Sequence, residues 1–550
     1  MPRACARWRG DWGVSNKGPA ADYVIVGGGS AGCVLANRLS ENPDIRVVLL
    51  EAGPGSDGFM NRMPAGGMKS LGDPEKDWCF MTEPDPSLGG RPAFWSAGRM
   101  LGGGSAVNGM IYIRGDRSDY DQWARELGCT GWSWDDVLPL FRKSERYTGE
   151  PSQSHSAMGT LGVSPPRQRH ALTCVFVEAC KQYGLREVED YCAGDVDGVF
   201  EMLCTQEGGK RSSAARAFLD AAMKRPNLDV VTGATVDRVE IEDGRVTAVA
   251  YRKDGEAAAI RVRREAIISA GALNSPAVLM RSGLGPGGHL AALGIEVVRD
   301  MPEVGRNLQE HASFHSIFQV DTRTYNQMMK PLVLAREMAR YMLFNRGLMT
   351  IIPVEAMAYV RSRPDLAFPD IKLSFGLMAH DMATRKPHAV PACVVYANVA
   401  KPESRGEIRL RSADPTDKVV IDHRLLGSDA DIAALVRGAK QVREIFAMPA
   451  MARHVVRQLA PDPLPKHDGE WEQAIRASAG IGYHPVATCR MGGDAGSVVD
   501  PRLRVRGIDG LRVADASIMP VMPAANTNAP AIMVGEKAAQ MVLEDARVPA

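Results

Sequence analysis

The first apolar run along the chain, Asp22-Tyr-Val-Ile-Val26, is short and rich in β-branched residues, and it predicts a buried strand. Beyond a cluster of glycines, Cys33-Val-Leu-Ala-Asn-Arg-Leu39 has helical character, and Arg46-Val-Val-Leu-Leu50 predicts a second buried strand that ends at Glu51. Near the C-terminus, Leu511-Arg-Val-Ala514 reads as a further strand, with Asp515-Ala-Ser517 opening a turn. The middle of the chain is different. Ala356-Met-Ala-Tyr-Val360, Ile371-Lys-Leu-Ser-Phe375 and Cys393-Val-Val-Tyr-Ala397 are short β-rich runs that suggest an antiparallel sheet. Asn326 to Phe344 reads as a loop and then an amphipathic helix with several methionines. Such a stripe is expected to be core; its functional alternatives are a substrate mouth or contact with a membrane quinone pool.

The glycines between the first strand and the helix, Gly27-Gly-Gly29-Ser-Ala-Gly32, complete an order of strand, G-x-G-x-x-G, helix, strand and acid, with Glu51 nineteen residues after Gly32. Gly27 permits the tight turn, Gly29 lets a pyrophosphate approach the backbone, and Gly32 lets helix and strand pack closely. The helix N-terminus attracts phosphate, and Glu51 can accept ribose hydroxyls. Gly283-Leu-Gly285-Pro-Gly-Gly288 matches the same spacing, but it follows an expected helix (Ala277 to Ser282) and contains Pro286, so a plain turn is expected there. The first match predicts dinucleotide binding and leaves NAD and FAD both open.

Length and composition narrow the field. The 550 residues suggest three or four units, or fewer and larger ones, and a composition of 45% hydrophobic and 24% charged excludes wholesale disorder. Lys+Arg total 66 against 65 Asp+Glu, so nothing in the net charge of +1 points to nucleic acid or an anionic membrane as main partner. The ten cysteines form no C-x-x-C, which speaks against zinc ribbons and haem attachment and suits a reducing cytosol. Residues 1–20 carry basic residues without an apolar signal core and are expected to be a disordered extension. No run approaches transmembrane length. No metal site is expected, and His380 and His388 are expected at the surface.

Longer motifs carry a resemblance. Gly98-Arg-Met-Leu-Gly-Gly-Gly-Ser-Ala-Val-Asn108-Gly-Met-Ile-Tyr-Ile-Arg114, Gly271-Ala-Leu-Asn-Ser-Pro276 through Gly285, Val304-Gly-Arg-Asn-Leu-Gln-Glu-His311, and the block from Tyr483-His-Pro-Val486 through Gly510-Leu-Arg-Val-Ala-Asp-Ala-Ser517 to Asn526-Thr-Asn-Ala-Pro530 resemble, in order, the stretches of the glucose–methanol–choline (GMC) oxidoreductases. The resemblance spans nearly the whole chain. It implies FAD, and an α/β fold in which a Rossmann-like FAD domain is interleaved with an α+β substrate domain built on an antiparallel sheet with helices. The expected FAD domain comprises 21–152, 210–313 and 479–550, and the substrate domain 153–209 and 314–478. The expected cofactor residues are Gly27, Gly29, Ser30, Ala31, Gly32, Glu51, Ala52, Arg99, Gly103, Gly104, Ser105, Asn108, Gly109, Met110, Val236, Asp515, Ala516, Asn526 and Thr527. Among these, Asn108 could bond the ribityl chain, Val236 resembles a backbone contact to adenine, and Asp515 and Ala516 correspond to positions beside the pyrophosphate or ribityl chain.

Oxidation of an alcohol by flavin moves a hydride to N5 and removes the hydroxyl proton. The protein must therefore supply a base near neutral pH and a hydrogen bond for the alcohol oxygen. Histidine suits the base. The resemblance assigns that role to His484 and the oxygen-fixing role to Asn526. Val107 stands where some relatives attach flavin covalently, so FAD is expected to be non-covalent. Ser313 stands where choline oxidases carry a glutamate, which makes choline an unfavourable substrate. The expected activity is that of an FAD-dependent dehydrogenase of primary or benzylic-type alcohols, passing electrons to a quinone or other external carrier. The alternatives are an oxygen-using oxidase, a flavin binder without turnover and, more remotely, an NAD-linked enzyme. The expected location is the cytoplasm, with a peripheral membrane contact as a variant, and the sequence gives no oligomeric state.

Overall fold

Val24, Ile25 and Val26 are buried because strands flank them on both sides. In the computed structural model, which describes residues 19–56, 58–381 and 386–547, they lie in β1 (Ala20–Val26). This strand pairs parallel with β2 (Val47–Glu51) on one side and with the strand Glu256–Ile268 on the other. The full order is Leu228–Thr232, β2, β1, Glu256–Ile268, Arg245–Lys253, Ala234–Glu242, with Leu511–Val513 added parallel to the end of Glu256–Ile268. β1 and β2 are buried on both faces, so their sequences run almost continuously apolar rather than alternating.

Helix α1 (Ser30–Leu39) follows β1 directly and packs along the C-terminal helix Asn528–Asp545. A Cβ at Gly535 would lie 2.8 Å from the Ala31 carbonyl oxygen, so only glycine allows the approach. Arg38 locks the two helices through a bidentate bond to the buried Glu536 at 2.7–3.1 Å.

The middle of the chain builds the second sheet, antiparallel throughout. Its order is Val455–Ala460, Ala312–Val320, Ala392–Val399, β3 (Ile371–Gly376), Ala356–Val360, Val199–Glu201, with Gly480–Ile481 also on Ala312–Val320. Helix Asp429–Phe446 covers it, with Phe446 stacked on Phe318 at 3.9 Å between ring centroids. The chain crosses between the two sheets several times.

The structure corrects several details. Residues 1–18 lie outside the described residues, but Pro19 and Ala20 join the first sheet through β1 and the Arg261 amide, so they are not part of an extension. Ala312, Ser313, Gly480 and Ile481 pair within the second sheet, which moves two expected boundaries by a few residues. The second glycine match is more than a turn. Leu284–Gly285 pairs parallel with Arg299–Asp300, and a short helix Gly287–Ala292 follows. Its first amide is taken by the Asp300 carboxylate at 2.9 Å, so the chain's own anion stands where a phosphate would bind. His380 and His388 are half-buried rather than exposed, because the Asn326 amide holds their segment through the Ala379 and His388 carbonyls. The methionine stripe is not core throughout: in α2 (Pro331–Phe344), Met342 is 67% exposed, and Met329 just before it is 43% exposed.

Candidate active site

The glycine loop is shaped by contacts that tolerate no side chain. Gly27 has φ +103°, and a Cβ on Gly32 would lie 1.9 Å from the Gly27 carbonyl oxygen. The Glu51 carboxylate, buried at the end of β2, accepts the amides of Gly28 and Gly53, each at 2.8 Å. Burial raises its pKa while those amides oppose the rise, and each oxygen keeps a lone pair for a ribose hydroxyl. Ala52 is half-buried beside it.

The first long motif lies directly on this loop. The Gly102 amide donates to the Gly28 carbonyl at 2.7 Å, and a Cβ on Gly103 (φ +50°) would lie 2.9 Å from the Gly29 Cα. By contrast, a Cβ on Gly104 would meet nothing within 4 Å. Backbone fills one side of these glycines and leaves the other open, which fits a flat dinucleotide approaching the main chain. The Ser30 hydroxyl donates to Asn528 Oδ1 at 2.9 Å, so the N-termini of α1 and of α3 (Asn528–Asp545) sit side by side, with Thr527 leading into the second. Two helix N-termini at one place favour an anionic pyrophosphate. Ala31 is buried behind them.

Other expected cofactor residues are placed with more specific consequences. Asn108 Oδ1 already accepts the Met110 amide and an Arg211 N–H, both at 3.0 Å, so only its NH2 group is left to donate. The Ser105 hydroxyl donates to the Gly102 carbonyl and accepts the Ala214 amide. Gly109 packs on Pro353, and the Met110 carbonyl accepts the Thr205 amide. The Arg99 guanidinium lies over Trp78 at 5.3 Å and donates to the Pro74 carbonyl. The Val236 carbonyl accepts from Arg281, on a strand that begins just after Gly233, whose amide donates to the Gly53 carbonyl. Asp515 accepts the Gly271 amide and the Ser275 hydroxyl on one oxygen and the Ser517 amide on the other. It therefore ties three turns together and leaves the half-buried Ala516 beside them. Val107 packs against Met100 and Ala106.

His484 and Asn526, forty-two residues apart, meet at the edge of this cradle. Asn526 stands two residues before α3, and His484 follows Tyr483, whose φ of +64° turns the chain inward before Pro485. Asn526 Nδ2 and His484 Nε2 are 2.8 Å apart. Both residues are half-buried, so the pair is reachable by a small molecule.

The protonation of that pair follows from its other bonds. His311 Nε2 lies 3.1 Å from the Ala400 carbonyl oxygen, which can only accept, so Nε2 carries the proton and Nδ1 of neutral His311 is bare. His484 Nδ1, 3.0 Å from His311 Nδ1, must then be the donor. This leaves His484 Nε2 as a lone pair, receiving the Asn526 N–H. Burial holds both imidazoles well below the usual histidine pKa, and the nearby Lys372 charge adds to the effect, so both are neutral near pH 7.

Two further ionisable residues lie beneath the pair. The Glu310 carboxylate accepts the His484 amide at 2.8 and 2.9 Å and the His311 amide at 2.7 Å. Burial pushes Glu310 up to about 8, against those amides and the Lys372 charge. Lys372, the second residue of β3, points its Nζ at His311 Nδ1 (3.4 Å) and Asn526 Oδ1 (3.5 Å), and burial pushes it down to about 7. Sequence reasoning missed both, along with Arg211, which is buried and bonded to the Asn108 and Pro64 carbonyls. The available signal was a lone lysine inside the apolar run Ile371-Lys-Leu-Ser-Phe375.

Comparison with known proteins follows this geometry. The family models described as GMC oxidoreductase match residues 21–313 and 402–535. The chain is 38% identical to alcohol dehydrogenase [acceptor] of Pseudomonas putida, covering 95% of each protein. It is 40% identical to the mitochondrial choline dehydrogenase of Homo sapiens, over 94% of this chain and 89% of that protein. Among solved structures, pyridoxine 4-oxidase from Mesorbium loti superposes with TM-score 0.87 at 32% identity, over 94% of this chain and 98% of the other. A fungal aryl-alcohol oxidase superposes with TM-score 0.83 at 26% identity, over 96% and 100%.

Proposed function

The chain belongs to the GMC oxidoreductase family, an FAD-dependent oxidoreductase acting on CH–OH donors, and on that premise we propose that it oxidises a primary or benzylic-type alcohol to the aldehyde. In this reading His484 is the general base and Asn526 holds the alcohol oxygen. Residues around Gly27–Gly32, Glu51 and Gly102–Gly104 would hold FAD non-covalently, since Val107 offers no attachment atom. Bound FAD supplies the two-electron acceptor for the hydride that leaves the carbinol carbon.

The rest is the chain's own work. An alcohol hydroxyl is donor and acceptor at once, so it can replace the 2.8 Å bond between Asn526 and His484. It donates O–H to the bare Nε2 and accepts from the Asn526 amide. His484 takes the proton, and the amide dipole steadies the developing negative charge on oxygen. The single observation that carries this reading is the order of hydrogen bonds from the Ala400 carbonyl through His311 to His484, which keeps Nε2 bare and facing Asn526.

The 40% identity to a choline dehydrogenase favours a second reading, choline as substrate. Lys372 weighs against it: its Nζ lies 3.5 Å from the Asn526 oxygen, and in its ammonium form it repels a quaternary ammonium and suits a neutral or anionic alcohol. We assign the sheet carrying β1 to the cofactor domain and the sheet carrying β3 to the substrate domain. The cysteines of the described residues are free, which supports residence in a reducing cytosol. The acceptor in this reading is a quinone or another external carrier, with dioxygen as the alternative. The test is a panel of neutral alcohols, hydroxy acids and choline given to the purified yellow enzyme, run in parallel with an artificial dye and an oxygen electrode. Dye reduction by neutral alcohols with little oxygen uptake supports the dehydrogenase. Rapid oxygen uptake replaces it with the oxidase, and a flavin that no alcohol bleaches rejects the catalytic reading.

A further inference from the structure

Half of the large apolar side chains that stand exposed in the described structure belong to two neighbouring segments. Phe59, Met68 and Leu71 come from one, and Met329, Leu332, Met342, Leu343 and Phe344 from α2 and the two residues before it. Leu332 is 88% exposed and Leu343 73%. The segments touch: the Phe59 ring meets Tyr341 of α2 at 6.1 Å, and Met60 and Ala65 share a small apolar cluster with Met63, Leu334, Met338 and Tyr341. That cluster uses the inner face of α2 and leaves Leu332, Met342, Leu343 and Phe344 uncovered on the outside.

Charge surrounds this face unevenly. Arg62, Lys69, Lys330, Arg336, Arg340 and Arg346 stand exposed on the same two segments, and the one acid of α2, Glu337, is buried and shared by Arg336 and Arg340. The whole chain has a net charge of only +1, so this concentration is local. Exposed leucine, methionine and phenylalanine ringed by arginine and lysine form the pattern of a helix lying in a lipid headgroup layer. A two-fold dimer through this face would set the same cationic ring against itself. No helix of the described residues is long and apolar enough to cross a membrane, so the contact is with the surface only.

We propose that α2 and the Phe59–Leu71 segment dock the enzyme on an anionic membrane surface. The face also lies next to the cofactor-binding segment. The turn Pro64–Ser70 between its two apolar ends packs beside the glycine-rich motif: a Cβ on Gly67 would lie 3.3 Å from the Ala106 carbonyl. Apolar alcohols or a lipid-dissolved quinone would then arrive beside the cofactor-binding segment rather than through bulk water.

Co-sedimentation of the flavin-loaded enzyme with vesicles tests this. We expect binding to vesicles of equal phosphatidylcholine and phosphatidylglycerol, weak binding to phosphatidylcholine alone, and release by salt. The double variant Leu343→Asp/Phe344→Asp and the charge-only variant Lys330→Gln/Arg346→Gln should each weaken binding about tenfold or more. Dye-linked alcohol oxidation in vesicle-free buffer should be unchanged in both, which shows an intact fold and separates this proposal from the catalytic one. Absence of vesicle binding, or binding indifferent to lipid charge or to either variant, would overturn the proposal. So would self-association in sedimentation velocity that Leu343→Asp/Phe344→Asp abolishes without any vesicle binding, which would assign the face to a second copy of the chain.

Discussion

His311 and His484 meet Nδ1 to Nδ1 at 3.0 Å, an arrangement that works only if one ring donates and the other accepts. The Ala400 carbonyl on the far side of His311 decides which. The base is thus set by a backbone carbonyl two residues removed in the hydrogen-bond chain from the nitrogen that reacts.

Replacing His311 by Leu removes the acceptor of the His484 Nδ1–H and frees the base to adopt the other tautomer. We expect kcat for the best alcohol to fall about tenfold or more, with flavin content unchanged, since the His311 ring bonds to Ala400, His484 and Lys372 and to none of the glycine-loop residues. Stopped-flow bleaching by alcohol and the flavin-to-protein absorbance ratio check both parts.

The field of Lys372 has a definite sign. With its own pKa lowered to about 7, Lys372 is charged in the acid range where His484 titrates, while Glu310, raised to about 8, is neutral there and does not cancel it. His311 is likewise pressed below its usual range, by burial first and then by the Lys372 charge. The wild-type fall in kcat/KM with acid should therefore lie below pH 6.5. Lys372→Met removes the repulsion, raises the His484 pKa and moves that fall to higher pH. It should also improve kcat/KM for choline relative to a neutral alcohol. A pH profile of kcat/KM with both substrates is the measurement.

At the cofactor end, Gly32→Ala places a methyl group 1.9 Å from the Gly27 carbonyl oxygen if nothing moves. The loop must open, at the expense of the phosphate cradle. We expect loss of most of the bound flavin and a lowered Tm. A control, Gly104→Ala, where a Cβ meets no protein atom within 4 Å, should keep its Tm close to that of the unaltered protein. Visible absorbance and thermal melts of the two variants settle the comparison.

The parts of this molecule that were legible in sequence are those where a residue type is demanded locally. Gly27, Gly32 and Gly103 are glycines because backbone stands where a side chain would be, and β1, α1 and β2 follow from unbroken apolar runs. His484 and Asn526 were found by resemblance to a family, with their convergence shown only by the folded chain. Other elements are not marked in any local pattern. Any residue can offer the carbonyl that Ala400 gives, and nothing around Glu310 or Lys372 signals that a strand from the middle of the chain delivers the lysine beneath two histidines. The methionine helix misled because its periodicity promises a buried face without saying how wide. Tyr341 and Glu337 turn inward, and the residues beyond them find nothing to cover them. The second glycine match shows the reverse, a correct spacing whose anion site the chain's own Asp300 occupies.

The most direct test of the account is anaerobic mixing of flavin-loaded His484→Ala with the best alcohol of the panel, followed by absorbance. If His484 Nε2 receives the hydroxyl proton, flavin stays bound and its bleaching slows by about 10² or more relative to the unaltered enzyme. Bleaching at the original rate, with flavin bound to the same extent, would contradict it.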